Sequence, residues 1–202
     1  DPDNGDPLWY RNVKDAQGNV TGRTTTNDYA QADYYYVDKS SLPKVYGGFN
    51  TAFSYKGFEL SAIFAYSIGG YIVDRDVTML WSNGSNPGRA WSTEILKRWT
   101  PENRDTDVPA LKTVSNNWNS NSTRNLFNNS YLRMKNITLS YNFPQPLIKK
   151  ISLSSLQLFV QADNLLTFSK NQGMDPEQGI TGLTYYRYPA MRSISGGLNV
   201  SF

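Results

Sequence analysis

The chain has 202 residues, with 20 Lys+Arg against 17 Asp+Glu, no His and no Cys. Without Cys there is no disulfide framework and no thiolate zinc site, and without either residue type the Ser-His-Asp and Cys-His machineries cannot be built. The net charge of +3 is spread without long basic runs, which leaves no footprint for nucleic acid.

Aromatic residues make up 14% of the chain, charged residues only 18%, and the mean hydropathy is −0.55. No apolar run approaches the ~18 residues of a membrane-spanning helix, but strands that cross a membrane carry a far weaker signal per segment. The first residue is Asp1 rather than Met, which sets the expectation that the chain lies inside a larger product.

Residues 1–44 read as a long polar loop. Asp1-Pro2-Asp3-Asn4-Gly5-Asp6-Pro7 and Asp15-Ala16-Gln17-Gly18-Asn19 are dense in turn formers. The second of these holds one carboxylate, too few oxygen ligands for calcium, and no metal site is expected. Tyr34, Tyr35 and Tyr36 suggest loop packing or a short edge strand.

Strands are expected from residue 45 on, over 45–55, 57–72, 131–143, 155–166 and 191–202. Phe49, Thr51, Phe53 and Tyr55 share one parity, and Asn50, Ala52 and Ser54 the other. A strand sends alternate side chains to opposite faces, so this segment has an apolar and a polar face. Lys56-Gly57 then fits a two-residue hairpin turn. The alternation restarts with Phe58, Leu60, Ala62, Phe64 and Tyr66.

Residues 73–130 form a long connection containing Trp81, Trp91, Trp99 and Trp118. A short helix is expected near Ser92–Trp99, capped by Ser92 and stopped before Pro101. Glu102, Asp105 and Asp107 cluster ahead of Pro109. They read as a solvated loop rather than as a paired-carboxylate glycosidase site. No phosphate-binding loop occurs, and neither an enzymatic activity nor a cofactor is expected. Trp81, Trp91 and Trp118 sit in polar surroundings, where they either pin loops and a partner together or touch a ligand.

Ile137, Leu139, Tyr141 and Phe143 resume the alternation, with Arg133 and Lys135 on the same parity. That charged part is expected to rise above the apolar band. Pro144-Gln145-Pro146 ends the strand. Leu156, Leu158, Val160 and Ala162 follow, then a loop at 167–190 with Tyr185 and Tyr186 as candidate contacts. The chain closes on Ser193–Phe202, where Ile194, Leu198, Val200 and Phe202 share a face.

The connections alternate short (56–57, 144–154) and long (73–130, 167–190). Outer-membrane barrels sort their connections in this way, with short periplasmic turns and long extracellular loops. The carboxyl end and Tyr55, Phe58, Tyr141, Phe143 and Phe202 then fall on the short-turn side, as an interfacial aromatic girdle requires. A soluble β-sandwich that binds carbohydrate is the alternative.

Several motifs carry a resemblance. Leu42-Pro43-Lys44-Val45-Tyr46-Gly47-Gly48-Phe49, Tyr55-Lys56-Gly57-Phe58-Glu59-Leu60-Ser61 and Arg98-Trp99-Thr100-Pro101-Glu102-Asn103 are among them. Others are Ser130-Tyr131-Leu132-Arg133-Met134-Lys135-Asn136-Ile137-Thr138-Leu139-Ser140-Tyr141, Ala162-Asp163-Asn164-Leu165 and Tyr188-Pro189. In this order they resemble the carboxyl-terminal barrel of SusC/RagA-type TonB-dependent transporters of Bacteroidota.

The resemblance implies an all-β fold: about five antiparallel transmembrane strands of a 22-stranded outer-membrane barrel, with residues 1–44, 73–130 and 167–190 as extracellular loops and the carboxyl terminus periplasmic. It implies import of glycan fragments or peptides. The partners it implies are the remainder of the barrel and its plug, a SusD-like surface lipoprotein, and the TonB complex, engaged through residues outside this chain. It further implies that Leu198, Val200 and Phe202 form the signal read by the outer-membrane assembly machinery.

Overall fold

The computed structural model describes residues 1–81, 88, 90–112, 117–170, 175–177, 181–184 and 188–202. Two compact units emerge. One comprises Asp1–Lys39, Val73–Phe127 and Leu183–Tyr186; the other comprises Ser40–Ile72, Asn128–Gly182 and Arg187–Phe202.

The first unit opens with a hairpin of β1 (Trp9–Lys14) and β2 (Val20–Thr26). Residues 1–44, expected to be loop throughout, therefore include a paired ladder. Both strands are largely exposed, and Trp9, Tyr10 and Val13 fall on both faces of β1, so neither strand shows the alternation that betrays a half-buried strand. The turn between them is fixed by Asp15, whose carboxylate accepts from the amides of Gln17 and Asn19 at 2.9 and 2.8 Å.

The second unit is dominated by a five-stranded sheet. Its strands are β3 (Val45–Tyr55), β4 (Phe58–Ile68), β7 (Tyr131–Asn142), β8 (Ser155–Ser169) and β10 (Ser193–Ser201). They lie in the order β10-β8-β7-β4-β3, and every neighbouring pair is antiparallel. Shorter pieces interrupt the chain: β5 (Tyr71–Asp74), α1 (Arg75–Leu80), β6 (Leu126–Asn128), α2 (Gln145–Ile148) and β9 (Leu183–Thr184).

The turn from β3 to β4 consists of Lys56 and Gly57, with φ of 46° and 89°. Two consecutive positive φ values match the right-handed twist of the flanking strands. A Cβ on Gly57 would lie 2.8 Å from the carbonyl oxygen of Asn142, so this glycine is required by both conformation and space. The turn pairs Tyr55 with Phe58 and sets the register of the whole hairpin.

That register aligns apolar side chains in rows across the sheet. Tyr55, Phe58, Tyr141, Leu158 and Leu198 form one row; Phe53, Leu60, Leu139, Val160 and Gly196 form the next. Aromatic contacts tie the row nearest the short turn. The Phe58 and Tyr141 rings lie 4.6 Å apart, and Phe143 packs edge-on against Tyr141 at 4.9 Å. Most of these side chains are exposed; Phe53 is 67% accessible. The sheet thus presents apolar residues outward along one whole face.

The register breaks at one level of β7, against both of its neighbours β4 and β8. Ile63 pairs with Asn136 but Phe64 pairs with Met134, leaving Lys135 as an extra residue in β7. Such a bulge moves everything beyond it to the opposite face. Leu132 and Met134 therefore join Tyr66 and Phe64 on the apolar face, and Arg133 turns to the polar one. The expectation that Arg133 and Lys135 share the apolar parity above the apolar band is thereby corrected. The charges do not leave the strand; the bulge re-aims them.

Candidate functional site

The polar face of the sheet carries hydrogen-bonded side chains across β7, β8 and β10. Asn136 Nδ2 donates to Asp163 Oδ1 at 2.7 Å, and Ser193 Oγ donates to Asp163 Oδ2 at 3.1 Å. Thr138 donates to the Asn136 side-chain oxygen, and Asn199 to that of Gln157 at 2.8 Å. On this face the Phe159 ring lies over Gly197; a Cβ there would sit 2.9 Å from the ring.

Beyond the bulge this face carries an ion network. Arg133 is 3% exposed. Its Nε donates to Thr167 Oγ1 at 3.1 Å, Nη1 to Glu177 Oε2 at 2.8 Å and Nη2 to Asp175 Oδ1 at 2.5 Å. Lys135 donates to the same Glu177 oxygen. Asp175 also accepts from the amides of Glu177 at 2.9 Å and Ala190 at 2.6 Å. Asn129 donates to the carbonyl of the buried Pro176 at 2.8 Å.

Burial alone would raise the Asp175 pKa. The Arg133 hydrogen bond and charge and the two amides outweigh it and hold the carboxyl below its ordinary value. A carboxyl with a depressed folded-state pKa adds stability above its ordinary value, and that contribution is lost as the pH falls through the folded-state pKa.

Neither Asp175 nor Glu177 was singled out in the sequence. The signal that points to them is a phase slip: apolar residues occupy even positions at Leu132 and Met134 but odd ones from Ile137 on. That slip marks the bulge, and hence a cation facing inward in need of carboxylate partners.

In the first unit the sequence-selected tryptophans fall into different settings. Trp118 is buried with Ile95 and Val108, and only 5% of it is accessible. Arg124 lies over two indoles, 4.7 Å from the Trp81 centroid and 5.3 Å from that of Trp118. Burial pushes the Arg124 guanidinium below its ordinary value, with Asp107 opposing the shift. Trp81 also meets Phe127 edge-on at 5.7 Å. The structure therefore joins Trp81 and Trp118 as packing elements around a cation and leaves Trp91 exposed.

The short helix expected after Ser92 is a 3₁₀ helix, Thr93–Lys97, and the Ser92 hydroxyl accepts from the Glu94 amide. Its Ile95 supplies part of this small core. A cleft of about 360 Å³ nearby is lined by Trp9, Trp99, Trp118, Asp107 and Arg124 among others. Tyr185 and Tyr186 lie outside the described residues. Among those described, no group of acidic residues is arranged to hold a metal ion.

Leu198 and Val200 lie on the apolar face of β10, opposite Leu158 and Leu156. Phe202 follows the strand and is almost fully exposed. Ser154 ties this end down, its amide donating to the Ser201 carbonyl at 2.9 Å and its hydroxyl to that of Phe202 at 3.2 Å.

An antiparallel sheet with one apolar and one polar face has the pattern of a β-barrel segment. Comparison with known proteins agrees. No protein-family profile matches the chain. TonB-dependent receptor P3 of Formosa agariphila is 32% identical over 166 residues, 77% of this chain and 16% of the receptor. Receptors P26 and P39 of the same organism are 28% and 30% identical over 81% and 77% of this chain.

Among solved structures, the RagAB peptide importer in its closed-closed state covers the whole chain with a TM-score of 0.79 at 33% identity. The open-open state gives a TM-score of 0.74 at 30%. The chain spans 16–17% of the curated receptors it matches and 21–22% of the solved chains. It belongs to the TonB-dependent receptors of the SusC/RagA type. The barrel-wall likeness takes the place of the sandwich alternative.

Proposed function

We propose that the chain forms the carboxyl-terminal wall of a TonB-dependent outer-membrane importer, together with loops that face its ligand or its lid. The supporting observation is the sheet itself: five antiparallel strands with an exposed apolar face and a hydrogen-bonded polar face, in a chain related throughout to RagAB. The apolar face meets lipid and the polar face lines the passage. The Lys56-Gly57 turn, the 144–154 connection and the carboxyl terminus are periplasmic; residues 1–44, 73–130 and 167–190 are extracellular.

The remaining partners follow from the family. The barrel is completed by strands outside this chain and filled by a plug. TonB acts through residues outside this chain, and a SusD-like lipoprotein covers the extracellular side. Ligands are peptides or glycan fragments, and the peptide importers among the solved relatives favour peptides. Trp91, exposed on the loop side, is the tryptophan best placed to touch ligand or lid; Trp81 and Trp118 shape the loop beneath, and Tyr185 and Tyr186 extend the candidate contacts. Leu198, Val200 and Phe202 serve the assembly machinery.

Expression of residues 1–202 with and without the rest of the protein tests the reading. β3 and β10 are the edges of the sheet, and unpaired edges in lipid cost several kcal/mol per unsatisfied group. The segment alone is expected not to enter membranes, whereas the complete protein gives a heat-modifiable barrel in the outer membrane. A folded, monomeric, detergent-free 1–202 would overturn the reading. Deletion of Phe202 from the complete protein is expected to lower the assembled amount, and unchanged assembly would remove the signal role.

A further inference from the structure

We propose that Arg133 is a positioning residue that clamps the Asp175–Glu177 segment against the polar face of the sheet, making that segment a fixed part of the transport passage. The inference rests on reading the sheet as importer wall. Three nitrogens of one guanidinium are engaged, each by a different residue: Thr167 on β8, and Glu177 and Asp175 in the connection to β10. A planar fork with divergent donors can do this; a Lys ammonium on a flexible stem cannot reproduce the geometry.

The far side of the clamp is equally tied. Asp175 holds the amide of Ala190, three residues before β10 begins, so the same carboxylate fixes both ends of the stretch that leads back into the sheet. Asn129, two residues before β7, holds the Pro176 carbonyl. The charges cancel: Arg133 and Lys135 on the wall face Asp175 and Glu177 on the connection. Because the bulge at Lys135 directs both cations to the polar face, the segment they hold is drawn to the passage side of the wall, not outward to lipid.

The test uses the complete importer in a cysteine-free background carrying Pro176→Cys, since this segment has no Cys of its own. Pro176 is buried in the clamp, and labelling by a membrane-impermeant maleimide reports its opening. Arg133→Gln is expected to leave a heat-modifiable barrel, to speed labelling by about tenfold or more, and to lower peptide uptake; Arg133→Lys gives an intermediate rate.

Asp175→Asn guards against a failure of Arg133→Gln to assemble. It lies off the wall strands, keeps an oxygen acceptor, and is also expected to speed labelling. Unchanged labelling in an assembled variant overturns the clamp. Faster labelling with unchanged uptake overturns the place of the segment in the passage. Absence of any barrel in the unsubstituted protein would instead refute the importer reading.

Discussion

The five-stranded sheet and the Trp118 cluster invert one another. In the cluster, Ile95, Val108 and Trp118 are buried while charged groups ring them, the arrangement of any water-soluble core. In the sheet, Phe53, Leu60, Leu139 and Val160 lie exposed, and the most deeply buried large side chain of β7 is Arg133. The contrast teaches that burial ranks residues by their solvent. Where hydrocarbon surrounds the wall, the apolar side chain belongs outside and the polar one needs partners within.

Five substitutions in the complete protein break or sharpen this contrast. Trp118→Ala has the largest expected effect. It empties a buried site at about 3–5 kcal/mol, and protease sensitivity should rise in the 73–127 region while the barrel still assembles. Loss of the barrel would mean that the cluster supports the wall as well as itself.

Leu139→Arg comes next. A cation on the lipid face near mid-strand costs about 2–4 kcal/mol, read as a lower unfolding midpoint in denaturant. Ser140→Arg, on the opposite face, is expected to be milder. Equal effects would contradict the assignment of faces. Gly57→Ala is smaller, about 1–3 kcal/mol from a strained left-handed residue and its contact with Asn142, and should appear as slower assembly. Trp91→Ala has the smallest effect on stability, within about 0.5 kcal/mol at an exposed position, and is expected to weaken ligand or lid binding with the barrel intact.

The sheet was legible because alternation is strict where one face meets a uniform solvent. Phe49 to Tyr55 and Ile194 to Val200 each reveal a face, and Lys56-Gly57 reveals the turn. The β1–β2 hairpin was not legible, because Trp9, Tyr10 and Val13 fall on both of its faces and no alternation repeats. The expected strand at 57–72 ends at Ile68 instead, since Gly69 takes φ 91° and the chain turns before β5. The Arg133 network was hidden for a different reason. Its carboxylate partners lie more than 40 residues away, and only the phase slip at Lys135 hints that the arginine faces inward. Among the candidate contacts, Trp118 has a surrounding sequence that looks like a loop, yet folding brings it together with Ile95 and Val108 in a buried cluster.

The bulge at Lys135 makes β7 a strand with two grammars, one on each side of a single residue. Deleting that residue would restore an unbroken alternation and leave Leu132 and Met134 on the apolar face, whereas pairing it as an ordinary strand residue would carry Leu132 and Met134 to the polar face and Arg133 to the apolar one together. Whether this one residue is bulged or paired thus sets the face of four consecutive residues, Tyr131 to Met134. Gain or loss of the bulge itself, at a fixed sequence, would transfer a whole block of side chains between the apolar and polar faces without altering any of them.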